Sequence, residues 1–181
     1  MNRYITPEYT TGDEIKYIRN HLGMTQKEMA EFLRCSKPTV ERWESSKDKH
    51  IVGPVVVLLD LIKRDNDIVE KLELPKDRLK LRLYYMFRDM VCTVIDIDEG
   101  RRKVRIKNYT DDLMYRAFGK NTEPTFDDYE MFIESRCFPR TRDKIKLELK
   151  RLDIPYYDPI LIIEKTEGRM AEDEFYIKIE R

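Results

Sequence analysis

The chain has 181 residues, with 35 Lys and Arg against 35 Asp and Glu, so its formal net charge is zero. That length holds one or two small domains. No apolar run approaches the roughly 20 residues of a membrane span, and the first residues lack the pattern of a secretory signal. Seven Phe, eleven Tyr and one Trp exclude a disordered polyelectrolyte, despite 39% charged residues. Cys35, Cys92 and Cys137 are odd in number and far apart, which argues against a disulfide framework or a zinc ribbon and fits a reducing cytoplasm.

In chain order, the first 75 residues carry helical spacing: Ile15, Ile18 and Leu22, then Met29, Phe32 and Leu33, then Val40 and Trp43, then Leu58, Leu61 and Ile62. Thr25-Gln26-Lys27-Glu28 fits a capping box. Ser36 is placed to cap the next helix, with Pro38 in its first turn, and Gly53-Pro54 opens another. The helical period stops at Leu74-Pro75-Lys76, which predicts a boundary there and domains over 1–75 and 76–181.

Beyond it the period becomes two. Leu79, Leu81 and Leu83 alternate with polar residues. Val91, Thr93, Ile95 and Ile97 pair with Val104 and Ile106 across the turn Asp98-Glu99-Gly100-Arg101, a hairpin pattern. Tyr115 to Phe118 is predicted to add a strand. Thr125-Phe126-Asp127-Asp128 resembles a second capping box. A helix is expected from near Thr141, and Asp158-Pro159 should cap another that ends near Gly168. Phe175, Ile177 and Ile179 predict a last strand, so the second part reads as a small α+β domain.

Between Gly12 and Ile62 two short capped helices are joined by Arg34-Cys35. Ala30 is small where the helices must approach, and Val40 and Trp43 can pack back on Met29 and Leu33. The other face of the second helix projects Lys37, Thr39, Glu41 and Arg42. This is a helix-turn-helix whose second helix is free to enter a major groove. From Arg34 to Lys49, five cations stand against three carboxylates, although residues 1–75 as a whole carry one more acid than base. Glu41 and Glu44 are expected to face away or to orient Arg42 and Arg34.

The order I-x-x-I, T-Q-K-E-M-A, S-K-P-T-V and R-W-E over residues 11–65 resembles the Xre/Cro, lambda-repressor-like DNA-binding family. The resemblance implies an all-α domain of five helices, the third reading DNA, and a homodimer on a two-fold double-stranded operator. By position it implies a phosphate contact for Gln26, a cap and phosphate contact for Ser36, and base reading by Lys37, Thr39 and Arg42. Lys47 and Lys49, in the polar loop that follows, would lie along the backbone. Two residues depart from the family pattern. Arg34 stands where the turn usually has Gly, at a cost of about 1 kcal/mol for a left-handed conformation. Lys37 replaces the usual Gln or Arg at the first reading position and offers a flexible point charge.

In the second part, one basic cluster (Arg101, Arg102, Lys103, Arg105, Lys107) sits on the hairpin. Another surrounds a helix start from Arg136 to Arg151, behind the acidic block Glu123 to Glu134. These read as solvated or mutually paired faces, with a protein-partner or second nucleic-acid surface as alternatives. Glu134 to Arg142 bears a faint resemblance to regulators encoded beside HipA-type toxins. Arg136 next to Cys137 could lower the thiol pKa, but a structural thiol is the favoured reading. No metal-ligand spacing, nucleophile–base pair or glycine-rich phosphate loop is found, so no enzyme, metal or cofactor is expected. The expectation is a cytoplasmic, sequence-specific DNA-binding regulator, most simply a repressor. Alternatives are an antitoxin or adaptor whose residues 76–181 bind a protein such as a toxin, or a regulator whose second domain senses a small ligand.

Overall fold

The computed structural model describes residues 3–46, 49–65 and 67–181, and the chain divides into two compact units between Glu73 and Leu74. The first holds α1 (Gly12–His21), α2 (Gln26–Phe32), α3 (Lys37–Ser45), α4 (Pro54–Arg64) and α5 (Ile68–Leu72). Their helical spacing buries Ile15, Ile18, Met29, Ala30, Val40, Leu59 and Ile62 in one core. Each large aliphatic side chain so removed from water contributes roughly 1.5–3 kcal/mol. Thr11 caps α1 by accepting from the Glu14 N–H at 3.3 Å. At Thr25 both capping-box bonds form: its hydroxyl accepts from the Glu28 N–H at 3.2 Å, and Glu28 accepts from the Thr25 N–H at 2.7 Å. Two bonds of 2.9 Å between Thr10 and Ile51 clasp the segment before α1 to the one after α3. Gly12 lies against α3 so closely that a Cβ would stand 2.1 Å from the Trp43 carbonyl oxygen. Only glycine permits that approach.

The second unit is a four-stranded antiparallel sheet in the order β3-β2-β1-β4, with β1 (Leu81–Phe87), β2 (Met90–Asp98), β3 (Lys103–Asn108) and β4 (Phe175–Glu180). Alternation aligns Leu83 with Ile95 and Ile179, and Tyr85 with Thr93 and Ile177. Leu83, Tyr85, Ile95 and Ile177 form a core with Tyr129 and Ile133 of α6 (Phe126–Ser135) and Ile162 and Ile163 of α8 (Pro159–Thr166). Between β1 and β2 the register shifts at Tyr85/Met86, where a bulge absorbs one residue. Arg82 and Asp96, opposite each other on β1 and β2, are buried and joined by two bonds of 2.7 Å. Arg82 also donates to the Pro75 carbonyl at 2.8 Å.

The hairpin, the Thr125 capping box, the Asp158 cap and the last strand stand where the sequence pattern places them. Two details differ. Tyr115 to Phe118 forms turns, not a strand. Its aromatic rings pack into the core, and the Ala117 N–H donates to the Thr93 hydroxyl at 3.2 Å. The apolar run there marks burial under a loop, which periodicity cannot tell from a strand. The helix expected near Thr141 begins later, as α7 (Ile145–Arg151), because Lys144 takes a left-handed φ of 60° that no helix interior accepts. In the hairpin turn the left-handed residue is Arg102, at φ 47°. Among the described residues no helix is long and apolar enough to cross a membrane.

Candidate nucleic-acid interface

The turn between α2 and α3 is a Schellman motif. The Cys35 N–H donates to the Ala30 carbonyl at 2.9 Å, and the Arg34 N–H to the Glu31 carbonyl at 3.2 Å. Arg34 sits at φ 54°, so the glycine geometry is kept although the side chain is arginine. The half-buried Cys35 packs on the core beside Ala30, the apolar contact that accompanies this motif.

On α3, Val40 is fully buried and Trp43 packs against the same core. A helix turns about 100° per residue, so Pro38, Arg42 and Ser45 fall on the opposite side, and all three are exposed. Lys37 and Thr39 flank that face. Lys37 is exposed and paired with Glu41 one turn on, at 2.9 Å. An exposed pair of this kind is worth little and opens readily to a phosphate. Arg42 is exposed, with no ion pair among the described residues. Ser45, the last residue of α3, shares the outward face, but its hydroxyl is engaged with the Arg42 carbonyl at 3.0 Å.

Ser36 occupies the N-cap of α3 without a side-chain cap bond. Its hydroxyl shares a hydrogen bond of 2.8 Å with the Thr39 hydroxyl, which corrects the expected cap. The expected phosphate contact Ser36 and the expected reading residue Thr39 are therefore paired with each other in the free protein. Gln26, at the first position of α2, is half-buried and donates through Nε2 to Glu44 Oε2 at 3.0 Å. Glu44 also holds Arg19 by bonds of 2.6 and 3.1 Å, and Arg19 reaches the Met24 carbonyl at 2.8 Å. Glu44 thus orients Arg19 and Gln26, not Arg42 or Arg34. Nothing local in the sequence points to these partners, which lie 25 and 18 residues away. Burial would raise the Glu44 carboxyl, but the bonds from Arg19 and Gln26 outweigh it and hold the group below its ordinary range. Lys49 is exposed beyond α3. Lys47 lies outside the described residues.

Residues 15–50 match the family model described as Helix-turn-helix. The match runs from within α1 through the turn and all of α3, the segment whose geometry is given above. That segment is an Xre-type, lambda-repressor-like helix-turn-helix, and it supports a DNA-binding transcriptional regulator. Neither the curated proteins nor the solved structures compared with this chain gave a match.

The charge clusters of the second unit are largely spent within it. Arg102 pairs with Asp127 and Glu130, Arg140 with Glu134, and Arg142 and Arg151 with Glu148. Arg136 is buried and clamps Asp173 at 2.6 and 3.1 Å while donating to the Gly168 and Phe175 carbonyls. Cys137 is a buried thiol and is not activated by Arg136. Burial pushes its thiol up to about 12, and the neighbouring guanidinium does not compensate. Among the described residues no group of three or more His, Cys, Asp or Glu could hold a metal ion.

Proposed function

We propose that the protein is a sequence-specific transcriptional repressor that binds a double-stranded operator as a homodimer. The observation that carries this reading is α3. It is fastened to the core by Val40 and Trp43, and Lys37 and Arg42 are exposed on its other side with Thr39 beside them. Discrimination comes from Lys37, Thr39 and Arg42, and register from phosphate contacts by Gln26, Ser36, Lys47 and Lys49. With near-zero net charge the domain has modest non-specific affinity, so specificity rests on a few placed side chains and on pairing two copies. Selection of bound DNA from a random pool tests this. A two-fold symmetric site whose insertion at a promoter lowers reporter output supports it; recovery of no enriched sequence overturns it.

The second reading is an antitoxin or adaptor whose residues 76–181 bind a protein while the first unit regulates its own operon. Met114, Met131, Leu147 and Tyr156 of the second unit are exposed, apolar groups that such a partner would cover. Co-purification of the product of a neighbouring gene, lost on truncation of residues 76–181, distinguishes it.

A further inference from the structure

The second unit contains an open cavity of about 580 Å³, bounded by the turn after β2, one side of α6 and the start of α8. Four carboxylates (Glu99, Glu130, Glu134, Asp158) and two guanidiniums (Arg102, Arg140) line it. Arg102 is taken by Asp127 and Glu130, and Arg140 by Glu134. The Glu99 carboxylate has no ion pair or hydrogen bond among the described residues, and Asp158 uses one oxygen to cap α8, at 3.0 Å from the Leu161 N–H. The cavity therefore keeps an uncompensated negative charge on Glu99 and Asp158.

A second observation is independent of the charge. Tyr129, on the cavity wall, is 3% exposed, and its buried hydroxyl bonds to no described group. A buried polar group left unpaired costs about 1–3 kcal/mol. The carboxylates of Glu99, Asp158 and Glu130, all on the cavity lining, act on this hydroxyl. Burial, the largest influence on the phenol, raises its pKa, so it stays protonated at neutral pH. It can then accept one N–H bond and donate to a carboxylate.

We propose that this cavity binds a small organic cation, an aliphatic primary ammonium of the diamine or polyamine class. The ammonium sits between Glu99, Asp158 and the Tyr129 hydroxyl, and the aliphatic body lies on Ile133, Pro159 and Ile160. An anion is disfavoured by the charge balance. A bare metal ion is disfavoured because the described carboxylates do not converge into a ligand set. The volume lies in the range of small-molecule sites.

Calorimetric titration and thermal-shift assays of the full chain without DNA, using 1,5-diaminopentane and spermidine, test this. Sodium and magnesium chloride at matched ionic strength serve as controls. The expected result is saturable binding to one site, weakened about tenfold in Glu99→Gln. Tyr129→Phe should weaken it several-fold while leaving the melting temperature of the free protein unchanged or raised. Glu99 is exposed on a turn, so its variant keeps the test decisive if Tyr129→Phe proves unstable. Absence of saturable binding up to about 10 mM, equal affinity of wild type and Glu99→Gln, or an equal shift with magnesium chloride overturns the proposal.

Discussion

Arg19 and Glu44 form a two-bond ion pair that ties α1 to the end of α3, with side-chain exposures of only 13% and 6%. The same carboxylate holds the Gln26 amide at the start of α2. One acid thus aligns three helices behind the proposed DNA-facing side. Removing it strands a nearly buried guanidinium and releases Gln26. Glu44→Ala should destabilise the first unit by about 3 kcal/mol and weaken operator binding beyond what the folded fraction explains. The single tryptophan, Trp43, lies next to the substitution, so urea unfolding followed by its fluorescence reads the loss directly.

The same pair gives a pH dependence of definite sign. The Glu44 carboxyl lies below its ordinary value in the folded state, and Glu14 is also lowered, chiefly by its bond from Lys63 and then by that from Thr10. Groups lowered on folding contribute stability that is present above the unfolded carboxylate value of about 4.3. That stability is lost as pH falls from there through the folded values. The first unit should therefore melt at a constant temperature from neutral pH down to about 5 and progressively lower below about 4. Glu44→Gln should flatten part of that fall; an unchanged slope would show that the pair is not formed in solution.

Arg42 and Lys49 should act on DNA differently. Arg42 stands on the outward side of α3, so Arg42→Ala should cost about 1–3 kcal/mol on the operator and relax base choice there. Lys49→Ala should weaken operator and random DNA alike and lower the salt slope by about 0.9. Equal effects of the two variants on both DNAs would misplace the reading surface.

Glu41 is the acid nearest the proposed reading residues, and it holds Lys37 at 2.9 Å. Glu41→Gln removes a repulsive charge and frees Lys37 for a phosphate. Non-specific affinity should rise several-fold and its salt dependence should steepen, with little change in stability, since an exposed pair of this kind is worth about 0–1 kcal/mol. Filter binding to random duplex at two salt concentrations measures it.

In the second unit Asp96→Asn leaves Arg82 buried without its counter-charge. The expected cost is about 3–5 kcal/mol, seen as faster hydrogen exchange of the β1–β2 amides. The double replacement Arg82→Met with Asp96→Leu should cost much less, because it removes both desolvated charges.

Sequence by itself determined what is encoded within about one helical turn or by strict alternation. The Thr25 and Thr125 capping boxes, the Asp158 cap, the hairpin and the fastening of α3 through Val40 and Trp43 are of this kind. So is the left-handed turn at Arg34, whose position between α2 and α3 requires it whatever the side chain. Tertiary structure alone decided the rest. It set whether an apolar run pairs as a strand or packs as a loop, as at Tyr115 to Phe118. It also set which partner each charge takes. Glu44 turned from its neighbours on α3 to Arg19 and Gln26, and Arg136 was drawn into the interior onto Asp173. The reason is physical. Caps and periodicity depend on backbone groups a few residues away, whereas a charged side chain is satisfied by whatever the packed core brings within about 3 Å, at any separation along the chain.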